Sequence, residues 1–588
     1  MKQTILSFLT FLSLYSIVSA QTVDDGKKFL YYEKFTSAKQ VFQKLIAANP
    51  KDPQAVYWMG QAYIMSSQLD SAKTLYQNTL SAGVNDPLLW VGSGEVDILQ
   101  GGDINTAKQK FEQAITATTA TKGKSKGQPD PNILDAIGRA MASGSSQQGD
   151  PNYGIDKLKQ AAQIDPKNPD IFINLGLCYL KLGSDHGGEA VEAFTQATQI
   201  DPQYARAYYR IGRIYQSQRN KESMDEWYGK AISADPTFAP VYLQYFQYYS
   251  EKDVTTAKEY LDKYVANADK DCNTDFFVGN YLIRAGKYQE ALQQAKTMEG
   301  SGCAGFSRLN VLYAASYDRL GDSVQAKNYT QKFFSIASSD EIQPAYYAFA
   351  GRVYAKFPET RDSSIKYFQL AIKSDTVKEE QKAFVDSAAK IAASLGNYSM
   401  ILDLMQTAEK LNGGKLAATE YFNLSKLVAD AAGNDSSATF DSVKYNLGDS
   451  IILAYVNAYP DQPQGYRFEM RYAKTSDRDT TRGLAIAPIE RYNDFLAKDT
   501  AAGNKKTIFT NYYYLLIYYA QYAKDLPKEQ EYQKAIDVTN MMKQVYSDPG
   551  SEEYQFADKT GKQLQSSLDK YNKSKASGGT GAASKTQK

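Results

Sequence analysis

The chain has 588 residues, with 67 Lys and Arg against 66 Asp and Glu and a single histidine. This length exceeds what one compact core usually supports, whereas a repeat protein grows linearly and escapes that limit. The balanced charge argues against nucleic-acid binding, which needs a basic surface. The lone histidine argues against a multi-histidine metal centre and a histidine-based catalytic triad.

The first residues predict an export signal. Lys2 is followed by an apolar run from Ile5 to Val18, and small residues lead to Ala20. This order is typical of a secretory signal peptide that is cut after Ala20. The apolar run is shorter than the roughly 20 residues that a membrane-spanning helix needs. We therefore expect residues 1–20 to be removed and the mature protein to be periplasmic or secreted.

Three successive stretches share one spacing, and each ends at a proline: Pro166, Pro202 and Pro236, which are 36 and 34 residues apart. Ahead of each proline stands a small residue or Met. A large residue follows it four positions later, and an alanine follows the large residue after three more positions. These residues are Gly154, Leu158 and Ala161, then Ala190, Phe194 and Ala197, then Met224, Tyr228 and Ala231. A period in the mid-thirties with this internal spacing indicates a solenoid of helix–turn–helix units.

The pattern resembles the tetratricopeptide repeat family, whose helix A carries a Leu-Gly-like pair and whose helix B carries Ala, an aromatic residue and Ala. One unit here reads Phe172, Leu175, Gly176, Tyr179, Ala190, Phe194, Ala197 and Pro202. The small residues let helices A and B cross closely. Tripeptides such as Asp70-Ser71-Ala72 and Asp322-Ser323-Val324 resemble the O-glycosylation sequence of Bacteroidetes, where exported members of this family are common, although Asp and Ser are also preferred helix N-caps.

The resemblance implies an all-α fold, a right-handed superhelical solenoid of about twelve or thirteen helix pairs. We predict six segments along the chain: signal peptide 1–20, N-terminal repeats 21–118, flexible linker 119–130, central repeats 131–415, divergent C-terminal helical repeats with a capping helix 416–572, and disordered tail 573–588. The linker and the tail are predicted from compositions rich in Gly, Ser and Lys.

Residues with catalytic chemistry are sparse. His186 lies in the turn sequence Ser-Asp-His-Gly-Gly, and one His with one Asp cannot close a metal shell of three or four ligands. No glycine-rich phosphate loop occurs, and segment 416–572 has no nucleophile elbow or paired carboxylates. We therefore predict that the protein is not an enzyme and has no catalytic residue, cofactor or metal.

The three cysteines divide into two kinds. Cys178 lies on a helix A core face and is predicted to be a small buried residue. Cys272 and Cys303 precede helix A of consecutive units, where equivalent points lie roughly 8–10 Å apart. That distance exceeds ordinary disulfide reach, but the glycines around Cys303 could let its loop lean in. Export leaves two alternatives open, a Cys272–Cys303 disulfide or two free thiols.

The resemblance further implies that helix A faces a concave groove, with the residues three before and one after its small residue pointing inward. The partner-binding candidates are then Tyr57, Gln61, Tyr209, Arg213, Phe276, Asn280 and Arg352. Residues four apart share a helix face, and aromatic residues with Arg are typical of binding hot spots. The alternative is that these tyrosines pack against the neighbouring repeat.

The predicted function is an exported, non-catalytic scaffold that binds other proteins or peptides in the periplasm or cell envelope through its concave groove. We expect no nucleic-acid partner and no integral membrane segment after signal cleavage, and the oligomeric state is not predicted. The alternative is a glycan- or solute-binding helical-repeat module, because exposed aromatic residues can stack on sugar rings.

Overall fold

The computed structural model describes residues 21–339, 341–435, 439–499 and 501–578. These residues form 29 α-helices and no β-strand, so the predicted all-α fold is confirmed. The predicted signal peptide, 1–20, lies outside the described residues. None of the helices in the described ranges is long and apolar enough to cross a membrane.

The chain divides into two compact units, with the boundary between Glu341 and Ile342. Unit 1 contains α1 (Val23–Tyr31), α2 (Phe35–Ala48), α3 (Pro53–Met65), α4 (Leu69–Ser81), α5 (Pro87–Leu99), α6 (Ile104–Thr118), α7 (Pro131–Ala142), α8 (Pro151–Ile164), α9 (Pro169–Leu182), α10 (Gly187–Ile200), α11 (Ala205–Ser217), α12 (Lys221–Ala234), α13 (Ala239–Tyr249), α14 (Val254–Asn267), α15 (Cys272–Arg284), α16 (Tyr288–Met298), α17 (Ser307–Leu320) and α18 (Ser323–Ile336).

Unit 2 contains α19 (Pro344–Ala355), α20 (Arg361–Ser374), α21 (Lys378–Ser394), α22 (Tyr398–Leu411), α23 (Ala418–Asn434), α24 (Ser442–Ala458), α25 (Pro463–Ser476), α26 (Ile486–Leu496), α27 (Ala502–Ile517), α28 (Lys528–Val545) and α29 (Glu552–Gly578).

Several first helices of the pairs begin at an Asp-Pro step. The Asp52 carboxylate accepts a hydrogen bond from the backbone N–H of Gln54, 3.0 Å away, and Pro53 starts α3. Asp130 does the same before Pro131 at the start of α7. Asp satisfies a helix N–H that lacks an internal partner, and Pro at the first helical position loses no hydrogen bond. The start of these helices is therefore specified locally.

Several pairs are held by a close approach between a glycine on the first helix and a large side chain on the second helix. A Cβ added at Gly176 would lie 2.4 Å from the ring of Phe194, and one added at Gly212 would lie 2.4 Å from the ring of Tyr228. Any larger residue would push the two helices apart. This contact explains the glycine–aromatic spacing in the sequence.

Two predicted segment boundaries lie inside the compact units. Residues 119–130 connect α6 to α7 by a hydrogen-bonded turn, in which the N–H of Gly127 donates to the carbonyl of Ala120 at 2.7 Å. The helices α5 and α7, which precede and follow this turn in the chain, pack against each other. The predicted flexible linker therefore does not separate two compact units. In unit 2, α21 packs against α23 across the predicted boundary at 415/416.

The C-terminal end of the described chain differs in part from the prediction. The segment expected to be a disordered tail, 573–588, begins inside α29, which extends to Gly578. Residues 579–588 lie outside the described residues.

The first pair, α1 and α2, precedes every repeat that the sequence pattern identified, and it packs against helices far along the chain. The Tyr32 hydroxyl donates to Asp235 at 2.8 Å. The backbone N–H groups of Thr36 and Ser37 donate to the Asp269 carboxylate at 2.9 and 3.1 Å. Asp269 therefore caps the N-terminus of α2, which has no capping side chain of its own. These contacts, with that of Arg206 to the Leu30 carbonyl, hold the first pair against later helices of unit 1.

Candidate functional site

Side chains from α1, α3, α7, α9 and α11 line a cavity of about 440 Å³ in unit 1, called here the unit 1 cavity. All five are first helices of their pairs, the helices expected to face inward. A volume of this size lies within the usual range of ligand sites, about 300–1,000 Å³. The return of α1 onto α11 forms one wall, so the cavity depends on the long-range contacts of the first pair.

The residues that line the cavity follow the predicted helical register only in part: Gln61, one residue after Gly60, lines the cavity, whereas the positions three before the glycine do not. The positions two before the helix glycine carry Trp58, Asn174 and Arg210, and all three line the cavity. The positions three before the glycine, predicted to point inward, are Tyr57, Tyr209 and Phe276, which are only 1%, 2% and 4% exposed. One residue along an α-helix turns the side chain by about 100°, because a full turn takes 3.6 residues. The predicted register was therefore wrong for these three anchors.

Of the predicted groove residues, Gln61 lines the cavity and Tyr57 lies behind its wall. Gln61 is 1% exposed, and its amide donates to Glu95 Oε2 at 2.6 Å. The Tyr57 hydroxyl accepts a hydrogen bond from Arg139 Nη1 at 3.1 Å. Their role is thus to position neighbouring side chains.

The other predicted groove residues of unit 1 do not line the cavity. Tyr209 packs on Tyr228 and accepts a hydrogen bond from Arg213 at 3.2 Å. Phe276 belongs to a separate core, while Asn280 is half-buried and Arg213 and Arg352 are exposed. Arg352 lies in unit 2. Within unit 1, the structure therefore does not bring the predicted candidates together into one groove.

A buried network fixes Arg139 on one side of the cavity. Its guanidinium lies 2.6 Å from Asp135 and 4.7 Å from the centre of the Trp58 ring. Asn174 donates to the other oxygen of Asp135 at 2.8 Å. Burial raises the pKa of Asp135, and the charge of Arg139 opposes that rise. The ion pair is thus largely removed from water, where breaking it by removing one partner is costly.

Glu95 forms a second buried group behind the same wall. Its two oxygens accept hydrogen bonds of 2.6 Å, one from the Gln61 amide and one from the Ser143 hydroxyl. Burial raises the pKa of Glu95, while these hydrogen bonds favour its charged form. The carboxylate is therefore fully engaged within the wall.

The cavity lining carries more positive than negative charge. It contains five cations (Lys27, Lys28, Arg139, Arg206 and Arg210) and two carboxylates (Asp24 and Asp170). Arg206 donates to the backbone carbonyl of Leu30 at 2.8 Å and lies over the ring of Tyr31. Arg210 Nε is buried without a hydrogen-bond partner among the described residues. The cavity therefore favours a negatively charged group.

Sequence reasoning missed Trp58, Arg139, Arg206 and Arg210. The rule applied to the other units would have selected Arg139, which follows Gly138 directly. Arg210 and Trp58 required the correct register, and Arg206 required the knowledge that α1 returns to α11.

A second depression, of about 850 Å³, lies on second helices of the pairs beside Trp90 and Tyr153. Its charged side chains pair with carboxylates: Lys108 lies 2.6 Å from Asp150, and Lys157 lies 2.7 Å from Glu112. This depression therefore differs from the unit 1 cavity in having no unpaired cation among its described lining residues.

Cys272 and Cys303 form a disulfide, with an S–S distance of 2.09 Å and a Cα–Cα distance of 5.7 Å. The helix α16 continues into a π-helical turn, Glu299–Cys303, and Gly302 in this turn has φ 97°. This left-handed conformation favours glycine and lets the loop reach Cys272. Cys178 is buried and unpaired, and burial raises the pKa of its thiol to about 12.

Comparison with known proteins gives two matches to tetratricopeptide repeat families, over residues 29–91 and 205–238. A probable UDP-N-acetylglucosamine–peptide N-acetylglucosaminyltransferase, SPINDLY, of Hordeum vulgare is 27% identical over 162 residues, which are 26% of this chain and 16% of that protein. The small glutamine-rich tetratricopeptide repeat-containing protein 2 of Mycosarcoma maydis is 28% identical over 112 residues, 18% of this chain and 31% of that protein. The chain thus matches less than a third of either relative.

Among solved structures, the C-terminal part of a TPR repeat-containing protein from Cytophaga hutchinsonii is similar at 17% identity with a TM-score of 0.27. The match covers 48% of this chain and 98% of that one.

Proposed function

We propose that this tetratricopeptide-repeat protein is an exported, non-catalytic scaffold that binds a segment of another protein in the unit 1 cavity. One observation carries the proposal: the inward side chains of five first helices converge on one cavity that combines Trp58 with an excess of cations. Aromatic residues and Arg dominate the hot spots of protein interfaces. Repeat families of this kind are typically interaction scaffolds.

The non-catalytic role is supported by the way the buried carboxylates are used. Asp135 is held by Arg139 and Asn174, and Glu95 is held by Gln61 and Ser143. These bonds lock the wall in one geometry, which suits recognition of a segment with a complementary shape. A general base would instead need its carboxylate directed at a substrate.

Export is supported by the signal-like sequence of residues 1–20 and is compatible with the Cys272–Cys303 disulfide, because disulfides persist mainly in oxidising compartments. Mass spectrometry of the protein isolated from its native cells tests this proposal. We expect an N-terminus at Gln21, in a periplasmic or secreted fraction. A cytoplasmic protein that retains Met1 would contradict export.

A glycan- or solute-binding module is the second candidate, and one observation favours it. The depression beside Trp90 also exposes the amide side chains of Gln109 and Gln113. An aromatic ring next to uncharged amides suits a neutral polar ligand such as a sugar. Binding of the purified protein to a glycan array, lost on Trp90→Ala, would support this alternative.

The leading proposal is tested by capture of partners from cell-envelope extract with immobilised wild-type protein and two variants. Leu177 is half-buried in the cavity lining, so Leu177→Trp should fill the cavity and abolish capture. Leu320→Trp is the control, because Leu320 is exposed on α17 and does not line the cavity. A partner that Leu177→Trp retains as well as the wild type would show that binding lies elsewhere.

A further inference from the structure

The first helix pair of unit 1 makes two kinds of contact. Both α1 and α2 pack on α3, the next helix along the chain, as neighbouring repeats of a solenoid do. The pair also contacts residues between Tyr204 and Asp271, which follow it by 175 to 235 residues. These distant contacts are called here the seam. Because a solenoid is built by contacts between neighbouring repeats, the seam can separate while every neighbour contact stays intact.

Side chains and two backbone N–H groups carry the seam. The helices α1 and α2 lie close to α3 along the backbone but hardly approach the backbones of α11–α15. The rings of Tyr31 and Tyr32 lie 5.3 and 6.3 Å from that of Phe238. The remaining contacts are polar, and include the hydrogen bonds to Asp235 and Asp269 described above. Each such bond contributes little net free energy, because water replaces it when the seam opens.

Glu33 adds a charge to the seam. It lies in the turn between α1 and α2 and is half-buried. Its carboxylate attracts Arg210 and Arg213, which lie across the seam on α11. Because Arg213 is exposed to solvent, part of this attraction is screened by water. The charges therefore favour the closed seam without locking it.

The unit 1 cavity lies along the seam. Lys27, Leu30 and Tyr31 line it from α1, and Tyr204 and Arg206 line it from the opposite side. The hydrogen bond from Arg206 to the Leu30 carbonyl joins the two sides directly. Separating α1 from α11 would therefore remove one wall and open the cavity to solvent.

We propose that the first helix pair is a latch, which opens the unit 1 cavity by separating from α11–α15 at the seam and closes it by returning. Small rotations at successive repeat interfaces add up to this opening, so no helix has to unfold. The latch goes beyond the proposed function, and it rests on that function only for its use. In the open state the cavity admits the partner segment, and in the closed state it retains that segment.

Distances between spin labels across the seam test the proposal in the full-length protein. One label is placed on Gln43→Cys in α2 and the other on Lys270→Cys, and both positions are exposed. The native cysteines are buried or bonded, so they take up no label. Double electron–electron resonance should show a short distance for the closed latch and a longer one for the open latch. The control pair, Gln43→Cys with exposed Gln77→Cys on the neighbouring α4, should show a single distance.

Variants that weaken the seam should increase the fraction at the longer distance. Asp269→Ala removes the acceptor of the two α2 N–H groups. It should raise the ratio of open to closed protein about fivefold, as expected for the loss of one helix cap. Glu33→Gln removes the attraction to α11 and should act in the same direction. Glu192→Gln is the matched control, because it removes the same charge from an exposed position on α10 and should leave the distances unchanged.

A crosslink between the same two cysteines tests whether the latch controls access to the cavity. A bismaleimide that joins Gln43→Cys to Lys270→Cys holds the seam closed. It should slow association of the captured partner at least tenfold. The same reagent on Gln43→Cys and Gln77→Cys should leave the association rate unchanged, because that crosslink joins neighbouring repeats.

The latch is overturned if the distance across the seam stays single and unchanged in both Asp269→Ala and Glu33→Gln. It is equally overturned if a partner that Leu177→Trp loses binds the seam-crosslinked protein as fast as the wild type. Failure of the proposed function gives a different result, since Leu177→Trp would then retain the partner. The spin-label distances, which require no partner, decide on the latch in that case.

Discussion

Two glycines in one helix pair should respond oppositely to the same substitution. Gly212 on α11 faces Tyr228, and an added Cβ would lie 2.4 Å from the ring. Gly229 on α12 has no neighbouring atom within 4 Å of an added Cβ. Alanine is favoured over glycine inside a helix by about 0.5–1 kcal/mol. Gly229→Ala should therefore stabilise the pair by about that amount.

At Gly212 the same gain is outweighed by overpacking, which costs about 1–3 kcal/mol. Tyr228 cannot move aside easily, because it is buried, lies against Tyr209 with ring centres 6.0 Å apart and contacts Tyr245 edge to face at 5.1 Å. The net effect of Gly212→Ala should be a destabilisation of up to about 2 kcal/mol.

Hydrogen exchange of peptides from α11 and α12 is the suitable assay, because repeat proteins open locally and a global midpoint mixes many pairs. Exchange should become faster in Gly212→Ala and slower in Gly229→Ala. The double variant Gly212→Ala with Tyr228→Leu should lose less stability than the sum of the losses in the two single variants, because the ring that the added Cβ would meet is absent. Equal effects at both glycines would refute the close-packing explanation of the repeat.

Three further results are expected. Asp269→Ala removes the cap of α2, so the local stability of α1 and α2 should fall by about 1 kcal/mol. Hydrogen exchange should become faster in these two helices and stay unchanged in α9. Cys178 should resist thiol labelling in the native protein, and Cys272 and Cys303 should label only after reduction; native labelling of Cys178 would contradict its burial. Burial raises the pKa of Asp449 from 3.8 to about 6, so the folded state keeps this proton to higher pH than the unfolded state. Because Asp449 is partly exposed and screened by solvent, the wild type should lose about 1–2 kcal/mol of stability relative to Asp449→Asn between pH 4 and pH 7. Urea unfolding of both proteins at the two pH values measures this difference, and a constant difference would contradict it.

The repeat itself could be predicted from the sequence because its determinants are local. Asp-Pro steps start first helices, and glycine on one helix faces a large residue on the next at a regular spacing. Residues 119–130, predicted from composition to be a flexible linker, contain a turn with the backbone hydrogen bond from Gly127 to Ala120, which their composition does not indicate.

The cavity could not be predicted in the same way because it depends on contacts between distant residues. Tyr32 meets Asp235 and Thr36 meets Asp269, more than 200 residues apart in each case. A single local sign was available, namely that Lys34, the residue before α2, provides no capping side chain. The positions three before the glycine were misplaced for a different reason, because a shift of one residue turns a helical side chain from the cavity into the core.

Fluorescence of Trp58 tests most directly whether partners bind in the unit 1 cavity. The chain has three tryptophans, and Trp58 lines the cavity whereas Trp90 and Trp227 do not. In a protein with Trp90→Phe and Trp227→Phe, adding the captured partner should change the Trp58 emission, with a midpoint that matches the affinity measured by calorimetry. Tight binding of the partner without any change in the Trp58 emission would contradict the assignment of the cavity as the binding site.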